Sequence, residues 1–140
     1  MDGKTIYLVQ ESFNKVRPIS DTVAEMFYHK LFQLDPSSRH LFPKNQADMQ
    51  LQSRKLISML GVAISGLTNF ETLIPVLEDL GRRHLEYKVE HFQYQIVGEA
   101  LLATLEEGLG NDFTYEVKNA WVDVYFTMSN VMMNAAYQKN

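Results

Sequence analysis

Four histidines, His29, His40, His84 and His91, are the best metal-ligand candidates in a chain without a single cysteine. Disulfides, thiolate metal sites and cysteine nucleophiles are therefore excluded. Imidazole-bound zinc needs paired ligands at helical spacing and a third group nearby. Only Glu25 and His29 stand four apart, and two ligands make no site. No G-x-S-x-G elbow is present, and the glycines of GLTNF and EEGLGNDF read as helix stops rather than phosphate cradles. Glu106-Glu107 reads as a solvated helix end. Catalysis by side chains alone thus has little support. His29 beside Tyr28, and His40 beside Arg39, read as solvated. His84 is different: it closes the amphipathic stretch LEDLGRRHLEYKV. It is either a polar helix-end residue or a single ligand held beneath a large flat cofactor, and its spacing alone does not separate the two.

The elements that would position these residues are helical. Leu8, Val9, Phe13 and Val16 recur at helical spacing before Pro18, and Ser20 stands where an N-cap would open a second helix through Val23, Phe27 and Leu31. Asp35-Pro36 predicts a short third helix, DPSSRHLF. A fourth runs from about Asp48 to Ser65, with Leu56, Leu60, Ala63 and Ile64 on one face, and Gly66 ends it. Asn69 is the expected cap of a fifth, which carries Leu73, Val76, Leu77 and Leu80, with Pro75 starting its second half. After a break at Tyr87-Lys88, a long sixth passes through Phe92, Ile96, Leu101 and Leu105 and stops at Gly108 and Gly110. Thr114 and Val117 open the last, a weakened capping box because valine replaces glutamate.

The expected fold class is therefore all-α, about seven helices in one domain over residues 1–140. At 46% hydrophobic residues the chain can bury a core of that size. Its net charge of −4, with scattered basic residues, argues against nucleic acid as a partner. The polar N-terminal segment is no secretory signal, and no stretch is expected to span a membrane, so a cytoplasmic protein is expected.

The ordered series FYHKLFQLDP, HLFP, LQSRKL, LGRRH, VGEALL and AWVDVY resembles the globin family over nearly the whole chain. The motifs are individually weak; their order and spacing are specific. The likeness is to single-domain bacterial haemoglobins and the haem domain of flavohaemoglobins, with neuroglobin more distant. QSRKL together with LIPVLEDLGRRH is most similar to the Hell's Gate globins of methanotrophic bacteria. The resemblance implies a globin fold lacking helix D, with haem b as cofactor. His84 would be the proximal ligand to iron. Phe42 would wedge the porphyrin. Gln52 would stand at the distal position, Tyr28 would reach the gas ligand from the second helix, and Leu56 would lie one turn beyond Gln52. Lys55 and Arg83 would pair the propionates, and Leu80, Val89, Tyr94, Val97 and Tyr125 would line the cofactor.

These residue types suit that chemistry. A phenol O–H and an amide N–H can both donate to oxygen that has gained negative charge from ferrous iron. Glutamine is a poor iron ligand, so an open site for O₂, CO and NO is expected, with Tyr28 or His40 closing it in the ferric form as the alternative. Three functions follow: reversible oxygen binding, nitric oxide dioxygenation, and gas or redox sensing. No flavin or nicotinamide segment is read in these 140 residues, so turnover would draw on a separate reductase. One departure stands out. Flavohaemoglobins bond the proximal histidine to a last-helix glutamate near a tyrosine; Tyr94 matches the tyrosine, but Ala136 takes the glutamate's place. His84 should then bond to a backbone carbonyl, that of Leu80, and push less electron density onto iron. A monomer or weak dimer is expected.

Overall fold

A computed structural model describes residues 1–137. Six α-helices make up the fold: α1 (Gly3–Val16), α2 (Ser20–Leu34), α3 (Gln46–Ser65), α4 (Phe70–Glu86), α5 (His91–Leu109) and α6 (Tyr115–Tyr137). Four 3-10 turns join them, among them Pro36–Leu41, which stands where the third helix was expected. That segment is too short to propagate, and Ser38 folds back on it, its hydroxyl and backbone N–H both donating to the Asp35 carbonyl. The described residues thus hold six α-helices where about seven helices were expected, and the all-α class stands.

Caps explain most boundaries. Asp2 accepts from the Thr5 N–H at the start of α1, Asn45 from Asp48 at 2.8 Å at the start of α3, and Thr114 from Val117 at 3.2 Å at the start of α6. At α5 a capping box forms from Glu90 and Gln93. Three expected caps make no capping bond, among them Asp35, whose carboxylate accepts from the Ser37 hydroxyl instead. Ser20 is the first residue of α2 rather than its cap, because the 3-10 turn Arg17–Ile19 around Pro18 runs straight into it. Asn69 makes no capping bond either, since the 3-10 turn Gly66–Asn69 already leads into α4. Gly108 lies within α5; Gly110, at φ +57°, is the stop. Pro75 is accommodated inside α4.

The strongest packing is α4 on α6, then α2 on α5 and α1 on α6. At the centre Trp121 is fully buried beside Phe13, and its indole N–H donates to Ser12 at 2.8 Å. The α4–α6 contact depends on Gly81. A Cβ built there would stand 2.2 Å from the Met132 carbonyl oxygen, so the two backbones touch with no room for a side chain. Gly98 likewise gives way to the Tyr125 ring.

One expectation is corrected. Residues 46–86 contain an 18-residue window of mean hydropathy 1.4, long and apolar enough to pass for a membrane span. Length and hydropathy do not separate a span from a core helix, and Ile64, Leu67, Leu73 and Leu77 from this run are buried in the bundle.

Candidate functional site

Tyr28 projects from the middle of α2 into an aromatic nest. Its ring meets Phe27 at 5.1 Å and Phe42 at 5.2 Å, both edge-on, and Phe32 at 5.9 Å. Phe42 follows the 3-10 turn and is held by Arg39, whose guanidinium donates to the Pro43 carbonyl at 2.8 Å and sits over the Phe32 ring. Across from this nest, Gln52 on α3 donates its amide N–H to the Tyr28 hydroxyl oxygen at 3.3 Å. An amide has two such hydrogens and a phenol one. With its oxygen accepting from Gln52, Tyr28 keeps its own O–H free to donate onward. Leu56 stands one turn after Gln52 and is half-buried with Ile96, Val97 and Val89. Behind it lies an apolar void of about 10 Å³ bounded by Phe27, Leu60 and Leu101.

His84 is on the last turns of α4. Its Nδ1 lies 2.7 Å from the Leu80 carbonyl, to which it donates, as the reading of Ala136 required. That bond leaves Nε2 with the lone pair. Burial holds the imidazole below its ordinary pKa, with the Arg83 charge adding to the effect and the Leu80 bond opposing it. The ring is therefore a neutral base at pH 7, the form that ligates metal. Tyr94 stacks nearby, centroids 6.1 Å apart. Tyr125 donates to the Tyr94 backbone carbonyl. The Tyr94 hydroxyl itself is buried without a hydrogen-bond partner among the described residues.

Lys55 and Arg83 are exposed, and Arg83 pairs instead with Asp79 at 3.2 Å. An exposed i,i+4 pair holds it only weakly. Three contributors had not been singled out. Gln93 takes the Glu90 N–H on its Oε1 and donates to Asp35 at 3.4 Å, tying the α4–α5 corner to the end of α2. Tyr137 donates to the Val89 carbonyl at 2.9 Å from 48 residues away. Gly81, three residues before His84, was visible only as a glycine in a helix pattern. A cavity of about 340 Å³ is lined by His91, Met133, Asn134 and Tyr137, and by none of Tyr28, Gln52 and His84.

A neutral imidazole, an aromatic wedge, two linked donors and half-buried aliphatic walls are what a haem site requires, so these residues fit the group. No set of three or more His, Cys, Asp or Glu side chains suited to a bare ion occurs among the described residues. The fold is an all-α helical bundle, an architecture that can hold a cofactor between its helices.

The chain belongs to the globin family: the globin family model matches residues 25–132. It is a globin of bacterial type that resembles the haem domain of flavohaemoglobins. Globins are haem proteins that bind small gas ligands, so haem is the cofactor implied. A flavohemoprotein of Rhizobium meliloti is 30% identical over 110 residues, 79% of this chain and 27% of that one. One from Oceanobacillus iheyensis is 23% identical over 134 residues, 96% of this chain and 33% of that one. The chain thus spans about a third or less of the curated relatives it matches. A bacterial globin from Campylobacter jejuni superposes with a TM-score of 0.84 at 17% identity, covering 96% of both chains. An engineered carbene transferase from Rhodothermus marinus, assigned provisionally as a nitric oxide dioxygenase, superposes at 0.85 with 24% identity, covering 99% of this chain and 94% of that one. Below 25% identity these likenesses establish the fold.

The phenols carry a pH prediction. Burial raises Tyr28 and Tyr125 above the ordinary value of 10, with Gln52 opposing the shift at Tyr28 and Tyr94 adding to it at Tyr125. Tyr94 is pushed up to about 12, by burial first and then by Tyr137. A folded-state pKa above the unfolded one gives stability that is complete below pH 10 and lost as pH rises toward the folded values. In a 295 nm titration, these three of the seven tyrosines should ionise only as the helical signal collapses above about pH 11. Reversible ionisation of all seven in folded protein would contradict this burial.

Proposed function

We propose that residues 1–140 form one globin domain that holds haem b and binds O₂ reversibly with high affinity, taking CO and NO as well. Haem, when bound, supplies the iron at which these gases are taken up. His84 gives its Nε2 as the proximal ligand, oriented by the Leu80 carbonyl. Phe42 wedges the porphyrin, and Leu80, Val89, Tyr94, Val97 and Tyr125 wall it. Leu56 excludes water beside the gas. Lys55 and Arg83 would hold the haem propionates, the Arg83 pair with Asp79 being exposed and weak. We place the protein in the cytoplasm, as a monomer or weak dimer.

The observation that best supports this reading is the Gln52–Tyr28 bond of 3.3 Å. It presents a phenol O–H, polarised by the amide behind it, to a ligand in the distal space. Such a donor contributes about 0.5–1.5 kcal/mol net. Tyr28→Phe should therefore speed O₂ loss roughly two- to thirteenfold in stopped-flow mixing. An unchanged off-rate would remove Tyr28 from the site. Reduced under argon, the haem-loaded protein should give the single broad visible band of an open site; sharp split bands would mean that an internal side chain fills it, against reversible gas binding.

A second reading, nitric oxide dioxygenation, is favoured by the same distal pair together with the names its relatives carry. NO, O₂ and one electron give nitrate, so the reaction balances only with a donor. A reductase of flavin type is the partner this reading requires. With Ala136 at the position that matches the flavohaemoglobin glutamate and the Leu80 carbonyl as the partner of His84, the electron push that would suit peroxidase-like chemistry is weakened.

A further inference from the structure

The charge of this chain is unevenly placed. Residues 37–58 and 80–92 carry seven of its thirteen basic residues and only three of its seventeen acidic ones. Elsewhere the chain is strongly acidic, and three of the lysines there are matched: Lys4 with Glu116, Lys15 with Asp112 and Lys30 with Glu107. In the two basic segments, Lys44, Arg54, Lys55, Arg82 and Lys88 are exposed, with no carboxylate within 4.0 Å among the described residues.

These cations flank the candidate site residues. Gln93 ties the α4–α5 corner, which carries Lys88, to Asp35 at the head of the turn that leads to Arg39 and Lys44. Arg54 and Lys55 sit within a turn of Gln52, and Arg82 sits two residues before His84. The same segments expose large apolar side chains: Leu51 at 54%, Leu85 at 42%, Tyr87 at 65% and Phe92 at 49%. Exposed aromatics and unpaired cations together are the composition of a protein-docking surface. The cations are spread over three elements and do not converge on one point, which suits a broad partner rather than a small anion.

We propose that this face docks an electron donor with an acidic surface, a flavoprotein by chemical class. The assignment rests on the haem reading above, which puts the cofactor between the segments that bear Gln52 and His84. A donor attracted to this rim would approach the cofactor by its shortest route, while the acidic remainder of the chain repels it elsewhere.

The sign of a salt dependence tests this. The ferric, haemin-loaded protein is mixed with the hydroquinones of FMN and riboflavin, which differ by one phosphate. A rim of local positive charge makes FMN faster at 10 mM ionic strength, by about fivefold, with the advantage lost near 0.5 M. A molecule felt only through its net charge of −4 would make FMN the slower reductant. The pair Lys44→Glu and Arg82→Glu should reverse the FMN preference. Equal rates, or a slower FMN at low salt, overturn the proposal.

A readout independent of haem accompanies it. In a ¹H–¹⁵N titration with a decaglutamate peptide, shifts should cluster around residues 44, 54, 55, 82 and 88. Shifts elsewhere, or none, overturn the surface. Concentration-dependent sedimentation at low salt would assign the face to a second copy of the chain and overturn the donor. If haemin fails to bind, no Soret band forms; the haem reading then fails by itself, while the peptide titration still decides the surface.

Discussion

Replacing His84 with glycine should weaken haemin retention by roughly 100-fold or more, since losing a group behind a ligand already costs 10- to 100-fold. The defect should be repaired by adding free imidazole. The side chain's one hydrogen bond is to the Leu80 carbonyl within its own helix, so removal leaves α4 otherwise intact. Circular dichroism should therefore be little changed. Imidazole would enter the vacated space and restore both retention and the reduced spectrum. His40→Gly and His91→Gly should retain haemin normally, because both residues are exposed. Normal retention by His84→Gly would overturn the proximal assignment, and loss in His91→Gly would move it to that residue.

The second large effect concerns stability. Gly81→Ala should cost about 3 kcal/mol, the upper end for an overpacked site, because the new methyl meets backbone rather than a side chain that could turn away. The expected fall in Tm is roughly 10 °C. Gly108→Ala makes the contrast. Its Cβ would meet only Val23 at 3.5 Å, an ordinary contact, and it lies within α5. There alanine should add up to about 1 kcal/mol through lower unfolded-state entropy. Urea melts on both variants check the pair. Equal stabilities would mean that α4 and α6 do not meet at Gly81. Because His84 follows less than one turn later, Gly81→Ala should also shift the imidazole away from α6.

Helix periodicity made most of the fold legible. The apolar stripes of α1, α2 and α6 lie where residue spacing put them, since a helical face is a local property, whereas Phe92 of α5 and Val76 of α4, expected on inward faces, are exposed. Thr114 capped as its position suggested. Ser20 and Asn69 did not, although both have capping side chains, because 3-10 turns on their N-terminal sides continued the helical path. Which of two adjacent turns nucleates is settled by packing, and a single residue type does not encode it.

At the site, local and non-local contributions divide in the same way. The His84–Leu80 bond spans four residues, and Ala136 in place of a carboxylate made it foreseeable. Arg83, the propionate candidate, pairs in this structure with Asp79 one turn back, a pairing visible in the spacing of the two residues.

By itself, then, the sequence determined the helical segments, the absence of thiol chemistry, and the set of side chains from which a haem site could be drawn. Only the tertiary structure decided that Gln52 donates to Tyr28 across 24 residues, that Gln93 reaches Asp35 across 58, and that Ser12 accepts from Trp121 across 109. It also decided that Gly81 exists for the Met132 carbonyl. A helix repeats every 3.6 residues and so writes its faces into the chain. The meeting of two faces depends on crossing angles and close packing, which no local pattern records.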